Sequence, residues 1–275
     1  MTDIAQKYRR LLACIAAKES AAVAFSGGVD SSFLCYAASK TLGKNAVAIT
    51  IVSPMLPQSE IAYAAKVAEQ LGITHILVEE ESIDDEVAAN PRNRCYYCKK
   101  IEFGRILDEA KKRGIQTVFD GSNIDDLGDY RPGLKALEEL HITSPLRDAG
   151  LNKNEIRVLS KRYNLPTWNK PAFACLASRI PYGENINHEK LSRVEKAEDY
   201  LRSLGFIQFR VRSHERMARI EAAPEERRKF FDEKLLDDIS RTLKSFGFIY
   251  VAFELEGYVM GSMNREVSVI ENPAL

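Results

Sequence analysis

Residues 26–32 read Ser26-Gly27-Gly28-Val29-Asp30-Ser31-Ser32, directly after the apolar run Ala21–Phe25. No other stretch constrains the fold as tightly. A short apolar run closed by two glycines reads as a buried strand, and the small hydroxyl residues after it open a helix. The glycines admit backbone angles that a Cβ forbids. A helix N-terminus presents unpaired N–H groups and a dipole that favours an anion. Ser26, Ser31 and Ser32 add hydroxyl donors. Asp30 does not suit a plain anion cradle. It implies a cation, Mg²⁺, between its carboxylate and a phosphate.

The run lacks the lysine of a Walker A loop and the third glycine of a dinucleotide fingerprint. It resembles the PP-loop of ATP pyrophosphatases. That resemblance implies cleavage of ATP between the α- and β-phosphates and adenylation of a substrate. The nucleotide site it implies comprises Ala24, Phe25, Ser26, Gly27, Gly28, Asp30, Ser31, Ser32 and Gly121. The alternative is a tight strand-to-helix turn with no ligand.

Strand and helix signals alternate through the first 165 or so residues. Strands are expected at Ala21–Phe25, Ala46–Val52, Thr74–Val78 and Gln116–Asp120. Helices are expected at Ser31–Leu42, Gln58–Leu71, Ile101–Arg113 and Asn154–Tyr163. This alternation indicates βαβ units and a parallel sheet, whose ligands sit at the carboxyl ends of strands. Asn169–Gly183 has weak periodicity and reads as a functional linker. Beyond it, Glu189–Leu204 and Pro224–Phe246 read as charged helices, and Gln208–Ser213, Met217–Ala222 and Phe248–Leu255 as strands. The expected fold class is α/β. A parallel-sheet PP-loop domain, of the adenine nucleotide alpha hydrolase type, spans 1–168. A cysteine-bearing linker covers 169–183, and a smaller C-terminal α+β domain for substrate or oligomer contacts spans 184–275.

The 39 acidic and 39 basic residues balance, which argues against a broad nucleic-acid footprint. No apolar run is long enough to span a membrane. Met1–Lys7 carries no signal-like stretch, so a cytoplasmic enzyme is expected. In a reducing compartment the five cysteines point to metal or redox work rather than structural disulfides.

Cys95 and Cys98 form a C-x-x-C between Pro91 and the helix expected near Ile101, and Cys175 lies in the linker. A C-x-x-C brings two thiolates to one centre, and a distant cysteine completes three ligands. Four readings stay open. They are a three-thiolate 4Fe–4S cluster with one open iron, a dithiol pair with a separate persulfide carrier, a zinc site, and three unrelated thiols. Cys14 and Cys35 read as small core residues on helix faces.

Arg210 and Arg212 are two apart and share a strand face, with Arg179 and Arg219 nearby in sequence. Arginine suits phosphate or carboxylate capture, against the alternative of a solvated strand face. Glu198 and Glu221 are candidate partners of these arginines or of a cation. Asp125, Asp126 and Asp129 follow the fourth strand and suit Mg²⁺, a ribose or a plain polar turn. His75, His141, His188 and His214 show no ligand spacing.

Taken together, these blocks resemble the LarE family of ATP-dependent sulfur transferases over nearly the whole chain. The resemblance rests on Ser26–Ser32, Tyr96–Lys100, Asp129–Ala136, Trp168–Lys170, Ser178–Gly183, Tyr200–Phe206, Val211-Arg212, Ala218–Glu221 and Gly261–Asn264. It implies adenylation of a carboxylate of pyridinium dicarboxylate mononucleotide, which becomes a thiocarboxylate for the nickel-pincer nucleotide cofactor. One branch of the family sacrifices the sulfur of a linker cysteine, leaving dehydroalanine. Another carries three cysteines and resembles cluster-dependent thiolases. With Cys95, Cys98 and Cys175 present, and Ala174 at the position matching the sacrificial cysteine, the chain resembles the cluster branch.

The cofactors so implied are ATP, Mg²⁺ and a 4Fe–4S cluster on Cys95, Cys98 and Cys175. Those cysteines and Asp30 are the implied catalytic residues. Ser178, Arg179, Arg210, Arg212, Glu198 and Glu221 are implied for substrate phosphate or metal. The resemblance also implies a small nucleotide substrate, sulfide or another sulfur donor, and a homo-oligomer, hexameric in the family. Rival readings are a tRNA thiolase, a sacrificial-cysteine sulfur insertase, an amide-forming NAD or GMP synthetase, and a non-catalytic iron–sulfur protein.

Overall fold

The computed structural model describes residues 2–128, 132–171 and 174–259. Asp129–Arg131 and Gly261–Asn264, singled out above, lie outside them. In chain order the elements are α1 (Thr2–Ala16), β1 (Ala21–Ala24), α2 (Val29–Leu42), β2 (Ala46–Val52), α3 (Gln58–Leu71), β3 (Thr74–Glu79), α4 (Asp85–Ala88), α5 (Arg94–Lys112), β4 (Val118–Phe119), α6 (Pro132–Glu139), α7 (Pro145–Asp148) and α8 (Lys153–Arg162). Then follow α9 (His188–Ser203), β5 (Phe209–His214), β6 (Met217–Ala222), α10 (Glu233–Ser245) and β7 (Tyr250–Phe253), with short 3₁₀ turns between some of them.

Two compact units emerge. The first comprises Met1–Ser82 and Asn93–Phe173, the second Ile83–Arg92 and Ala174–Leu275. In the first, the strand order is β3-β2-β1-β4 and every pair is parallel, with Ala21 opposite Ala46 and Val47 opposite Thr74. Both central strands are nearly all apolar because helices cover both faces of the sheet. One layer packs Leu11, Ile15, Phe33, Leu34, Leu151 and Ile156 against Val23. The other packs Phe103, Ile106, Ile115 and Leu137 against Val47 and Ile49. The parallel α/β expectation is met.

The second unit has its own sheet, in the order β5-β6-β7. β5 and β6 are antiparallel, and β6 and β7 parallel. Phe206, Phe209, Phe230 and Phe253 form its aromatic centre, with the Phe230 and Phe253 rings 4.4 Å apart. Residues 83–92 join this unit through Asn90, whose side chain donates to the Pro181 carbonyl at 2.6 Å while its own carbonyl accepts from Gly183 N at 2.9 Å.

Two local expectations differ from the structure. The charged helix expected over Pro224–Phe246 is broken at Asp232, which takes an extended backbone and accepts from Leu235 N at 3.1 Å. A side chain that caps a helix competes with continuing one. The helix expected to start near Ile101 starts at Arg94 instead. Its first turns are tied to α6, where Glu139 accepts from Tyr96 Oη at 2.7 Å and Lys100 Nζ at 3.3 Å. Among the described residues no helix is long and apolar enough to cross a membrane.

Candidate active site

The glycine turn after β1, residues 26–32, is built by the first unit alone. Phe25 N donates to the Ile49 carbonyl at 2.8 Å. Thr50 Oγ1 donates to the Phe25 carbonyl at 2.6 Å and meets His75 Nε2 at 2.8 Å. The residue entering the turn is therefore held from β2 and β3. Gly27 then takes φ +67°, and a Cβ there would lie 3.0 Å from the Cα and Cβ of Ala64 on α3. Both its conformation and its closeness to α3 demand glycine.

Gly28 caps α2 in an extended conformation with no side-chain bond to the first turn, so its cap consumes none of the N–H groups that hold an anion. Ser26 Oγ and Ser31 Oγ lie 3.1 Å apart. Gly121, just past β4, abuts the same turn: a Cβ there would sit 3.2 Å from Ser31 N. Ala24 closes β1 immediately before.

Asp30 is the charged centre of this turn. Its Oδ2 accepts from Lys153 Nζ. Its Oδ1 and the hydroxyl of Ser32 are buried without a hydrogen-bond partner among the described residues. Burial pushes the Asp30 carboxyl above its usual range, against the pull of the Lys153 ammonium. A buried carboxylate oxygen and a buried hydroxyl in one glycine turn, neither with a partner among the described residues, match the oxygen ligands that Mg²⁺ takes.

Sequence reading does not single out Lys153. The signal beside it is the Asn152…Glu155 pair. Asn152 Oδ1 accepts from Glu155 N at 2.8 Å and Glu155 Oε2 accepts from Asn152 N at 2.9 Å, a capping box that sets where α8 begins. Asp125 Oδ2 accepts from Lys153 N at 2.9 Å.

The remaining carboxylates after β4 shape the turn. Asp120 accepts from Ser122 and Ser144, and Asp126 Oδ2 accepts from Asn123 N at 2.8 Å.

Cys95 and Cys98 occupy the first turns of α5, three residues apart and so on one face. Cys95 is exposed, and half-buried Cys98 donates to Glu102 Oε1 at 3.4 Å. Two thiols one helical turn apart can reach one metal centre as thiolates. The pair therefore fits two ligands of a thiolate-bound centre. Cys175 belongs to the second unit, where it precedes a 3₁₀ turn, Leu176–Arg179. Among the described residues no three His, Cys, Asp or Glu side chains are gathered into one metal-binding group. Cys35 is fully buried and Cys14 half-buried, and burial pushes both thiols up.

In the second unit the arginines and glutamates are interlocked. Arg179 donates to both oxygens of Glu198, and its Nη1 reaches the carbonyls of Ala174 and Cys175 at 2.6 and 3.0 Å and Ser178 Oγ at 2.8 Å. Glu198 also accepts from Val211 N at 3.1 Å. Arg212 joins the Ser178 carbonyl at 3.1 Å to Glu221 at 2.7 Å, and Arg219 meets Glu221 at 3.1 Å. Arg210 lies with its guanidinium 5.0 Å from the Tyr258 ring centroid, its pKa lowered by burial and then by the Arg179 charge. The structure thus brings Ser178, Arg179, Glu198, Arg212 and Glu221 together around the chain that carries Cys175.

The family described as asparagine synthase matches residues 11–127, the span holding the turn at residues 26–32. Pyridinium-3,5-bisthiocarboxylic acid mononucleotide synthase of Lactiplantibacillus plantarum is 38% identical, over 96% of this chain and 96% of that one. An uncharacterized protein of Synechocystis sp. is 46% identical, over 90% of this chain and 92% of its own. Another uncharacterized protein, of Methanocaldococcus jannaschii, is 31% identical over 86% of this chain and 89% of its own.

Proposed function

Because the chain belongs to the LarE family of PP-loop ATP-dependent sulfur transferases, we propose that it adenylates a carboxylate of pyridinium dicarboxylate mononucleotide and exchanges the adenylate for sulfur. The observation that carries the adenylation step is the turn itself: Gly27 at φ +67°, an α2 N-terminus whose cap Gly28 makes no side-chain bond, and Asp30 and Ser32 oxygens without a hydrogen-bond partner among the described residues.

The backbone N–H groups opening α2 hold the β- and γ-phosphates of ATP. The substrate carboxylate attacks the α-phosphorus, an O–P bond forms, and pyrophosphate departs with the electrons of the bond broken. Acceleration comes from position and from charge met in place. Asp30, with Ser32, would hold Mg²⁺, which neutralises phosphate charge when bound. Lys153 keeps Asp30 in that orientation. The product is an acyl adenylate, whose AMP leaves far more readily than oxide.

For the sulfur step, the reading is that Cys95, Cys98 and Cys175 ligate a 4Fe–4S cluster. These three thiolates would be its protein ligands, and the cluster would supply, when bound, a site for sulfide-level sulfur. The C-x-x-C on one face of α5 supports this. The second unit acts on the substrate's phosphate and on the linker: Arg210 and Arg212 are the proposed phosphate contacts, and Arg179 with Glu198 holds the main chain at Cys175.

The test is iron and acid-labile sulfide content after anaerobic purification, on wild type and Cys95→Ala. About four of each per wild-type chain, lost in the variant, is the expected result. A chain without iron that sulfurates substrate once overturns the cluster and makes Cys175 the sulfur source, visible as a mass loss at that residue.

A further inference from the structure

Lys170 lies far from the phosphate-binding turn in sequence, yet its ammonium is bound to it. Nζ donates to the Gly27 carbonyl at 3.1 Å and to Glu60 Oε2 at 2.7 Å, and stands 3.9 Å from the centre of the Tyr63 ring. Glu60 and Tyr63 both lie on α3. The Lys170 and Glu60 side chains are only 14% and 18% exposed, so the contact is largely shielded from water.

The main chain at the other end of Lys170 is held as firmly. Arg157 of α8 donates from Nη2 to the Lys170 carbonyl at 2.8 Å and from Nη1 to the Trp168 carbonyl at 2.7 Å. A lysine that merely finishes a surface loses side-chain entropy for little return. Here a carboxylate, a ring face and a carbonyl converge on one ammonium.

The contact bears on the turn through peptide geometry. In a trans peptide the C=O of one residue and the N–H of the next point in opposite directions. Fixing the Gly27 carbonyl therefore also fixes the direction of the Gly28 N–H, the last donor before α2. Lys170 also starts the run of chain that reaches Cys175 five residues later.

We propose that Lys170 is a positioning residue that latches the cysteine-bearing linker onto the phosphate-binding turn, so that nucleotide occupancy of the turn and order of residues 168–171 form one linked equilibrium. This rests on the reading of the turn as an ATP site. Linkage is reciprocal: if the latched linker favours nucleotide, nucleotide must favour the latched linker.

The test uses the full chain with Mg²⁺ and an ATP analogue that cannot be cleaved between the α- and β-phosphates. Affinity and hydrogen exchange are measured on wild type, Lys170→Met and Lys170→Arg, with circular dichroism to verify folding. In wild type the analogue slows exchange in peptides covering 25–33 and 166–171. In Lys170→Met affinity falls about tenfold, the loss of one charge-assisted hydrogen bond, and the analogue still protects 25–33 but no longer 166–171. Lys170→Arg recovers part of both effects. Should Lys170→Met fail to fold, Glu60→Gln, which weakens the seat of the ammonium but leaves Lys170 in place, must show the same uncoupling in milder form. Equal protection of both peptides in wild type and variant overturns the latch. A wild type that binds no analogue overturns the ATP reading itself, and the latch with it.

Discussion

Arg179 and Glu198 form a two-pronged ion pair, Nε to Oε1 at 2.9 Å and Nη2 to Oε2 at 3.0 Å, with side chains 0% and 4% exposed. The third nitrogen of Arg179 is taken up by the carbonyls of Ala174 and Cys175 and the hydroxyl of Ser178. Every donor of the guanidinium that faces these groups is committed. Arg179 is thereby a buried fastener for the main chain at Cys175.

Removing one partner leaves a buried charge uncompensated. Arg179→Ala should destabilise the protein by about 3–5 kcal/mol. Arg179→Lys keeps the charge but not the fork and should lose sulfur transfer more than it loses stability. Denaturant unfolding of both variants, compared with their sulfur-transfer rates, checks the pair.

Asp30→Asn removes the carboxylate proposed to hold Mg²⁺ while preserving size. Substrate-dependent pyrophosphate release should fall by roughly 10² or more. Lys153→Met should give a smaller loss, since that residue holds Asp30 rather than the metal. A coupled pyrophosphate assay at saturating ATP ranks the three proteins, and equal rates in wild type and Asp30→Asn would remove Asp30 from the site.

Gly27→Ala places a Cβ 3.0 Å from the Ala64 backbone at φ +67°. The strain should cost about 1–3 kcal/mol and weaken nucleotide binding. Calorimetric titration with ATP reads the binding loss, and a thermal melt reads the strain.

Glu226 carries a pH signature. Burial alone would raise its pKa, but hydrogen bonds from Gln208 N and Ile207 N, with Lys229 beside it, hold the carboxyl below its ordinary value of 4.5. A depressed carboxyl stabilises the fold above its unfolded-state pKa, and that stabilisation disappears as pH falls through the folded-state value. Glu226→Gln should thus be less stable than wild type at neutral pH by about 1–3 kcal/mol, with the gap closing in acid below about pH 4. Melting curves from pH 7 downward test the sign.

Alkylation should follow exposure. In the apo protein, Cys95 should react first and Cys35 not at all until the chain unfolds, because Cys35 is fully buried and its thiol is pushed up. Mass spectrometry of tryptic peptides after timed iodoacetamide treatment gives the order.

Much of this protein is readable from its residues. The glycine pair after an apolar run, the βαβ alternation and β2, α3 and β6 at their observed boundaries are local matters, decided by backbone sterics and by the period of apolar positions. The break at Asp232 escapes a sequence reading because a cap competes with helix continuation within a single turn, where composition shows little. The partners that complete the site are beyond local reading. Lys153 meets Asp30 across 123 residues and Lys170 meets Gly27 across 143. Sequence identified the turn, the cysteine pair and the arginines by type and spacing. Tertiary structure decided which ammonium faces which oxygen, and that Arg179 is saturated by Glu198, because such pairings depend on how distant elements pack, and packing leaves no periodic trace in the chain.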